Sequence, residues 1–371
     1  MSGNDLRYWI GFNKVTGIGA VRLRALLDHF GTIEAAWQAP AGELQAAGLD
    51  KHTVERLILA RRGLDLDTEL EKLARGRVGV LTWDDAGYPH NLREVYAPPP
   101  VLYVRGTIEP HDEFSVAVVG TRRASVYGKE AARMIGEGLA QASVTVVSGL
   151  AMGIDTIAHQ TCITAGGRTL AVLGCGVDVV YPAQNARLAS QIVEHGALVS
   201  EYPLGTRPDA RNFPPRNRII SGLSLGTVVV EADMGSGARI TADFAAEQGR
   251  DVFAVPGNIF ARGCRGTNRL IQEGAKMVCA VGDILEELNL TMVGEQTQVR
   301  AAIPENPTEA ALLARLSAEP THVDELGRAL GLPIAQVSST LALMELKGMV
   351  RQVGGMNFVL AREARAEYVI E

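Results

Sequence analysis

The residues best equipped for chemistry lie in glycine-containing turns that also carry arginine, serine or threonine. The first is Val119-Gly120-Thr121-Arg122-Arg123-Ala124-Ser125. Gly120 lets a ligand approach the backbone closely, and the helix start that follows favours an anion. The Arg122 or Arg123 guanidinium can grip two phosphate oxygens at once. The plainer alternative is an arginine pair on a solvated turn. A second turn, Ser148-Gly149-Leu150-Ala151-Met152-Gly153, opens a helix and offers Ser148 and the amides of Gly149 and Gly153 as a phosphate cradle. Asp155 and His159 follow four residues apart on one helix face, as an acid–base pair or, more simply, a structural one. A third turn, Gly235-Ser236-Gly237, makes another amide nest, with Arg239 and the hydroxyl of Thr241 just beyond it.

The segment Gly205–Arg218 is different in kind. Arg207, Arg211, Arg216 and Arg218 stand against Asp209 alone, a surplus of three positive charges in a chain whose net charge is −6. Phe213 sits inside the run, with Asn212 and Asn217 nearby. Cations for a backbone and a ring for base stacking are what a sequence-tolerant groove for single-stranded nucleic acid needs. In the competing reading Phe213 caps the core and the arginines form salt bridges. No G-x-G-x-x-G occurs in the first turn, so a dinucleotide is not expected. No general base accompanies a nucleophile, and Asp155, Glu231 and Asp233 are too scattered for a metal. The expectation is a binding protein with no catalytic residue, metal or cofactor.

The elements that must hold these turns alternate. Short β-branched runs (Val78–Leu81, Val101–Val104, Ser115–Val119, Val144–Ser148, Thr169–Leu173, Leu198–Ser200, Thr227–Glu231 and Val252–Val255) alternate with helical stretches at 128–141, 154–165, 186–195, 216–221 and 239–248. That pattern predicts an α/β, doubly wound, mostly parallel sheet over residues 78–288, with ligands at the carboxyl ends of its strands. Residues 1–77 read as helices over 6–12, 20–30, 32–39 and 52–71 around Val15-Thr16-Gly17-Ile18-Gly19, a helix-hairpin-helix or SAM-like domain. Those glycines either contact a phosphate or simply permit a tight turn. A polar linker over 289–307 precedes three helices and a strand pair over 308–363, the winged-helix pattern. Its third helix, Pro333–Leu346, carries no Lys or Arg, which favours a structural or protein-contact role over DNA reading.

Composition sets the outer limits. With 371 residues, 47% hydrophobic and 21% charged, the chain reads as a soluble globular protein of two or three domains. It has neither a run of eighteen apolar residues nor a leader-like start, so the expectation is cytoplasmic, with no membrane contact. Cys162, Cys175, Cys264 and Cys279 lack metal-ligand spacing and read as reduced thiols.

With these motifs in view, the chain resembles the DprA/Smf family of DNA-processing proteins. The blocks are GTRRASVYG (120–128), SGLAMGIDTIAH (148–159), GCGVDVVYP (174–182), SEYPLG (200–205), NFPPRNRIISGLS (212–224), the turn at 235–242, AVPGN (254–258) and GTNRLIQEGA (266–275). The resemblance implies an extended Rossmann-like domain that binds single-stranded DNA without strong sequence preference. It also implies protection of that DNA, loading of the RecA recombinase in natural transformation, and homodimers formed through the Rossmann-like domain. Carried over residue by residue, Arg122 would hold a phosphate, and Phe213, Arg216 and Arg218 would line the groove. Many relatives carry basic residues where this chain has Met152 and Ala183, so those contacts would be absent or moved to Arg123, Arg211 or Arg239. One rival is a nucleotide hydrolase of the lysine-decarboxylase-like type, whose G-T-x-x-E tail resembles Gly226–Glu231, though no Pro-Gly-Gly precedes it. Another is a nucleotide-sensing regulator acting through the winged helix.

Overall fold

The β-branched runs build one nine-stranded sheet. Its strands are β1 (Gly79–Thr82), β2 (Val101–Gly106), β3 (Ser115–Val119), β4 (Thr145–Ser148), β5 (Thr169–Val172), β6 (Gly196–Ser200), β7 (Gly226–Val229), β8 (Asp251–Ala254) and β9 (Lys276–Met277). They lie in the order β1-β2-β6-β5-β4-β3-β7-β8-β9. Strands β3 to β9 are parallel, with Val116 opposite both Val146 of β4 and Gly226 of β7. Strand β2 runs antiparallel to β1 and β6. Every residue of β3, β4, β5, β6 and β7 is buried, as expected of strands covered on both faces. From β3 the chain winds one way through β4, β5 and β6, then returns to the other side of β3 for β7 and β8. The crevice beyond β3 and β7 is therefore the topological switch point, where such sheets bind ligands.

This computed structural model describes residues 5–290, 306–317, 320–346, 350–353 and 355–360. The chain divides into two compact units, 1–288 and 289–371. The helical segment expected as a separate domain over 1–77 belongs to the first unit. Trp9 is fully buried and meets Trp83 edge-on at 5.8 Å, and Asn13 bonds to Tyr103 and to the Glu201 carbonyl. Its core is thus continuous with that of the sheet. The expected helix over 52–71 is broken into Lys51–Gly63 and Leu66–Gly76. Asp65 leaves the helical region, and its carboxylate caps the amides of Asp67 and Thr68. In the Val15–Gly19 turn, Gly17 takes φ +98°, and Arg22 donates to its carbonyl at 2.8 Å while pairing with Asp50.

The second unit has helices Pro307–Leu313, Val323–Leu330 and Ile334–Leu346, with a three-stranded sheet of β10 (Thr321–His322), β11 (Val350–Gln352) and β12 (Asn357–Leu360). Leu312, Leu326, Val337, Leu341 and Phe358 are among its core residues. The fold is the expected winged helix. Most of the expected linker, and Gly354 of the wing turn, lie outside the described residues.

Candidate nucleic-acid interface

The turn after β3 is pinned from two sides. The Thr121 amide donates to the Glu231 carbonyl at 2.7 Å, and the Ile154 amide donates to the Thr121 carbonyl at 3.2 Å. Gly153, at φ +87°, passes so close that a Cβ there would fall 2.3 Å from the Thr121 oxygen. Ser125 caps the helix Val126–Gln141 by accepting from the Gly128 amide, and its own amide donates to the Glu231 carboxylate at 2.9 Å. Ser125 is therefore used for capping. The result is a fixed platform from which Arg122 and Arg123 project, both exposed.

Across the crevice, the helix Phe213–Leu223 begins with Phe213-Pro214-Pro215. The Phe213 ring stacks on Tyr181 with centroids 5.7 Å apart and planes 28° from parallel. The Arg122 guanidinium lies 5.6 Å from its centroid and that of Arg216 lies 5.8 Å away. Together with Gly120, Thr121, Arg123, Asn217, Ser236, Gly237 and Thr241, these residues line a cleft of about 640 Å³. Asn217 donates to the Gly237 carbonyl at 3.2 Å, tying the aromatic helix to the turn after β7. Ser236 caps the helix Gly237–Glu247. Gly235 is exposed beside it.

Other expected contacts are already engaged. Ser148 and Gly149 are buried, and Ser148 donates to the Val118 carbonyl at 2.6 Å. The amides of Gly149 and Ala151 donate to the Asp155 carboxylate at 3.2 and 3.3 Å, so the nest expected to hold phosphate holds the chain's own anion. His159 does not join Asp155; its Nδ1 lies 2.6 Å from the Thr169 hydroxyl. Burial holds its imidazole down to about 3, so it stays neutral. Arg216 is only 5% exposed and donates to the carbonyls of Gly149 and Val172. Burial lowers it to about 10, with Asp155 opposing, so it remains charged and forms the floor of the cleft. Arg218 turns away, binding the Ala97 carbonyl and the Glu201 carboxylate. Burial raises that carboxyl and Arg218 opposes the shift. Arg211 is highly exposed but pairs with Asp209 at 2.8 Å, which draws that carboxyl down to about 2. Asn212 donates to the Gly174 carbonyl, and Arg239 pairs with Glu273. Glu231 is buried and enclosed between Gly128 and Gly263, so the G-T-x-x-E likeness puts no carboxylate in the cleft.

The comparisons agree with this architecture. A sequence model described as DNA recombination-mediator protein A matches residues 79–289, and one described as DprA winged helix domain matches 296–356. Protein Smf of Synechocystis is 35% identical over 96% of this chain and 99% of its own length. The chain belongs to the DprA/Smf family. DNA processing protein DprA of Streptococcus pneumoniae is 45% identical over 55% of this chain and 72% of its own length. Its X-ray structure aligns with a TM-score of 0.66, at 36% identity, over 76% of this chain and 97% of that one. A Helicobacter pylori structure, described as showing the single-stranded DNA binding mode of DNA processing protein A, aligns with a TM-score of 0.52, at 27% identity, over 57% and 96%.

Within this DprA/Smf cleft, Tyr181 is the residue the sequence reading missed. It is 44% exposed and offers its free face beside Phe213, which is half-buried and already contacted by two arginines. The available signal was an aromatic in the loop after β5, the same loop position that drew attention to Arg122 after β3. Of the cations named as substitutes for those absent at Met152 and Ala183, only Arg123 lines the cleft.

Two outcomes follow for binding of oligo-dT, measured by fluorescence anisotropy. Tyr181→Ala and Phe213→Ala should each lose about 1–3 kcal/mol while Tyr181→Phe keeps its affinity; a Phe213→Ala variant that melts early but binds normally would mark a core residue. Burial pushes the Asp155 carboxyl up to about 6, against the pull of Arg216. A carboxyl raised in the fold binds its proton more tightly folded than unfolded, so it favours folding most at low pH, and that contribution declines as pH rises through about 6. Its protonation also removes a negative charge from the cleft that Asp155 lines together with Arg122, Arg123 and Arg216. Affinity should rise as pH falls from 7.5 to 5.5 at fixed salt, and Asp155→Asn should abolish that rise.

Proposed function

We propose that this chain binds single-stranded DNA without sequence preference in the cleft between the β3 and β7 turns. It protects the strand there and passes it to the RecA recombinase in natural transformation, acting as a homodimer through its α/β unit. The observation that carries the reading is the Tyr181–Phe213 stack bracketed by Arg122 and Arg216 at the switch point of the sheet. Every base has a face that can stack, and every nucleotide has a phosphate, so this pairing of rings and cations is indifferent to sequence. The H. pylori relative, described in terms of single-stranded DNA binding, supports the ligand, and the relatives described as DNA processing proteins support the setting. RecA transfer and homodimer formation rest on the family resemblance.

The chemistry of the cleft supports a binding role rather than hydrolysis. Asp155 is held by two amides, His159 faces the fully buried Thr169 hydroxyl that donates to the Val146 carbonyl, and Glu231 is enclosed, so none stands beside a hydroxyl or thiol open to the cleft. Among the described residues no group of three or more His, Cys, Asp or Glu could hold a metal.

Arg122 tests the reading. Arg122→Ala should weaken oligo-dT binding and flatten the log–log salt dependence by roughly 0.7 of a unit, the share of one phosphate on a single strand. Circular dichroism should be unchanged, because the side chain is exposed. Wild-type affinity and slope in this variant would remove Arg122 from the interface.

A further inference from the structure

The loop after β8 repeats, outside the cleft, the composition of the segment that lines it. Residues 258–269 contain Arg262, Arg265 and Arg269 and no acid, again a surplus of three positive charges. Phe260 is 86% exposed and Ile259 74% exposed, so neither ring nor branch serves the core. The loop is held firmly despite that exposure. Asn268 clamps Gly257 by donating to its carbonyl and accepting from its amide, both at 3.0 Å. Asn258 accepts from the Phe260 amide at 2.9 Å.

The loop is also joined to the cleft. Arg262 pairs with Asp233 at 2.6 Å, and Gly266 donates to the Ala232 carbonyl at 2.8 Å. Asp233 in turn accepts from the amide of Ser236, which lines the cleft. Tyr127, on the helix that follows the Arg122 turn, donates its hydroxyl to the Pro256 carbonyl at 2.7 Å. The turns after β3, β7 and β8 thus stand side by side along one edge of the sheet, two strand spacings or roughly 10 Å end to end. Arg265 is exposed and makes no ion pair among the described residues. The Arg262–Asp233 pair is exposed on the arginine side, so it is weak and can yield to a phosphate.

We propose that residues 258–269 form a second contact for the same single strand. Phe260 stacks a base, and Arg262 and Arg265 hold the flanking phosphates. A strand leaving the Tyr181–Phe213 stack past Arg122 crosses Ser236 and Gly237 and reaches Phe260 a few nucleotides further on. This inference rests on the reading of the cleft as a strand site. Arg269 pairs with Glu273, which leaves Arg265 and the exposed, weakly held Arg262 as the loop's cations. The loop's occupant is nucleic acid because these two arginines flank an exposed ring and continue the lining of that cleft.

The test uses the full chain and an oligo-dT of roughly twenty nucleotides bearing 5-iodouracil, crosslinked by light and mapped by tryptic peptides. Crosslinks are expected in the peptide holding Phe213 and in peptide 251–262, which holds Phe260. Phe260→Ala should weaken binding of the long oligomer about fivefold or more, and leave a six-nucleotide oligomer bound as before. Crosslinking at Phe213 alone, or an unchanged affinity of Phe260→Ala for the long oligomer, overturns the extension and leaves the cleft standing. Crosslinking at neither peptide overturns the cleft itself. A Phe260→Ala protein that sediments as a smaller species, with no crosslink in peptide 251–262, assigns the ring to a contact between copies and also overturns the proposal.

Discussion

A guanidinium buried at the centre of the α/β unit organises the site. Arg216 has lost nearly all its water, and an ion moved into a protein interior costs several kcal/mol unless it is fully partnered. Its partners are the carbonyls of Gly149 and Val172 and the negative charge of Asp155. Asp155 is itself steadied by two amides of the turn after β4. The packing leaves no room for a side chain at Gly149, where a Cβ would lie 2.8 Å from the Arg216 Nη2 and 2.9 Å from the Asp155 Oδ2. The two bonds from Arg216 to these carbonyls therefore tie the turn after β4 and the end of β5 to the start of the helix that carries Phe213.

Everything above that floor follows from it. Phe213 is set by Arg216 from one direction and by Gly174, which has no Cβ to clash with the ring, from another. Tyr181 then stacks on Phe213 and Arg122 completes the enclosure. The turn that carries Arg122 is held by Glu231, whose carbonyl takes the Thr121 amide and whose carboxylate takes the Ser125 amide. Two buried acids, Asp155 and Glu231, thus position the exposed cations. Both carboxylates are engaged by backbone amides, Asp155 by those of Gly149 and Ala151 and Glu231 by that of Ser125. The cleft keeps a positive balance, three arginines against one acid, in a chain that is acidic overall. That local sign, not the net charge, is what a phosphate backbone meets at distances below a Debye length.

Much of the fold could be read from the sequence because its signals are local. Ser115–Val119 is a strand with the bounds its β-branched run predicts, and Ala186–His195 is a helix at the predicted residues. The Arg122 turn was legible as an exposed loop at the switch point, because a glycine and two arginines directly follow a continuous β-branched run. What could not be read depends on partners distant in sequence. Arg218 looks identical to Arg216 on the page, yet one meets Glu201 and turns away while the other enters the floor. Arg211 and Arg239 count as charges in a sequence but are paired with Asp209 and Glu273. The nest at Gly149 reads as an anion site, which it is, with Asp155 as the anion. The antiparallel placement of β1 and β2, and the merging of the helical segment with the sheet through Trp9 and Trp83, likewise depend on contacts that no local pattern encodes.

The central claim is that rings and cations at the switch point grip a strand whose bases are unstacked and within reach. A duplex hides those faces, so a titration of the full chain with oligo-dT and with duplex of equal length, each at two salt concentrations, tests it most directly. Clear preference for the single strand is expected, with a log–log salt slope of about −1.4 or steeper from the two exposed cleft arginines, Arg122 and Arg123, at roughly 0.7 each. Equal or tighter binding of duplex, or single-strand binding that does not respond to salt, would contradict it.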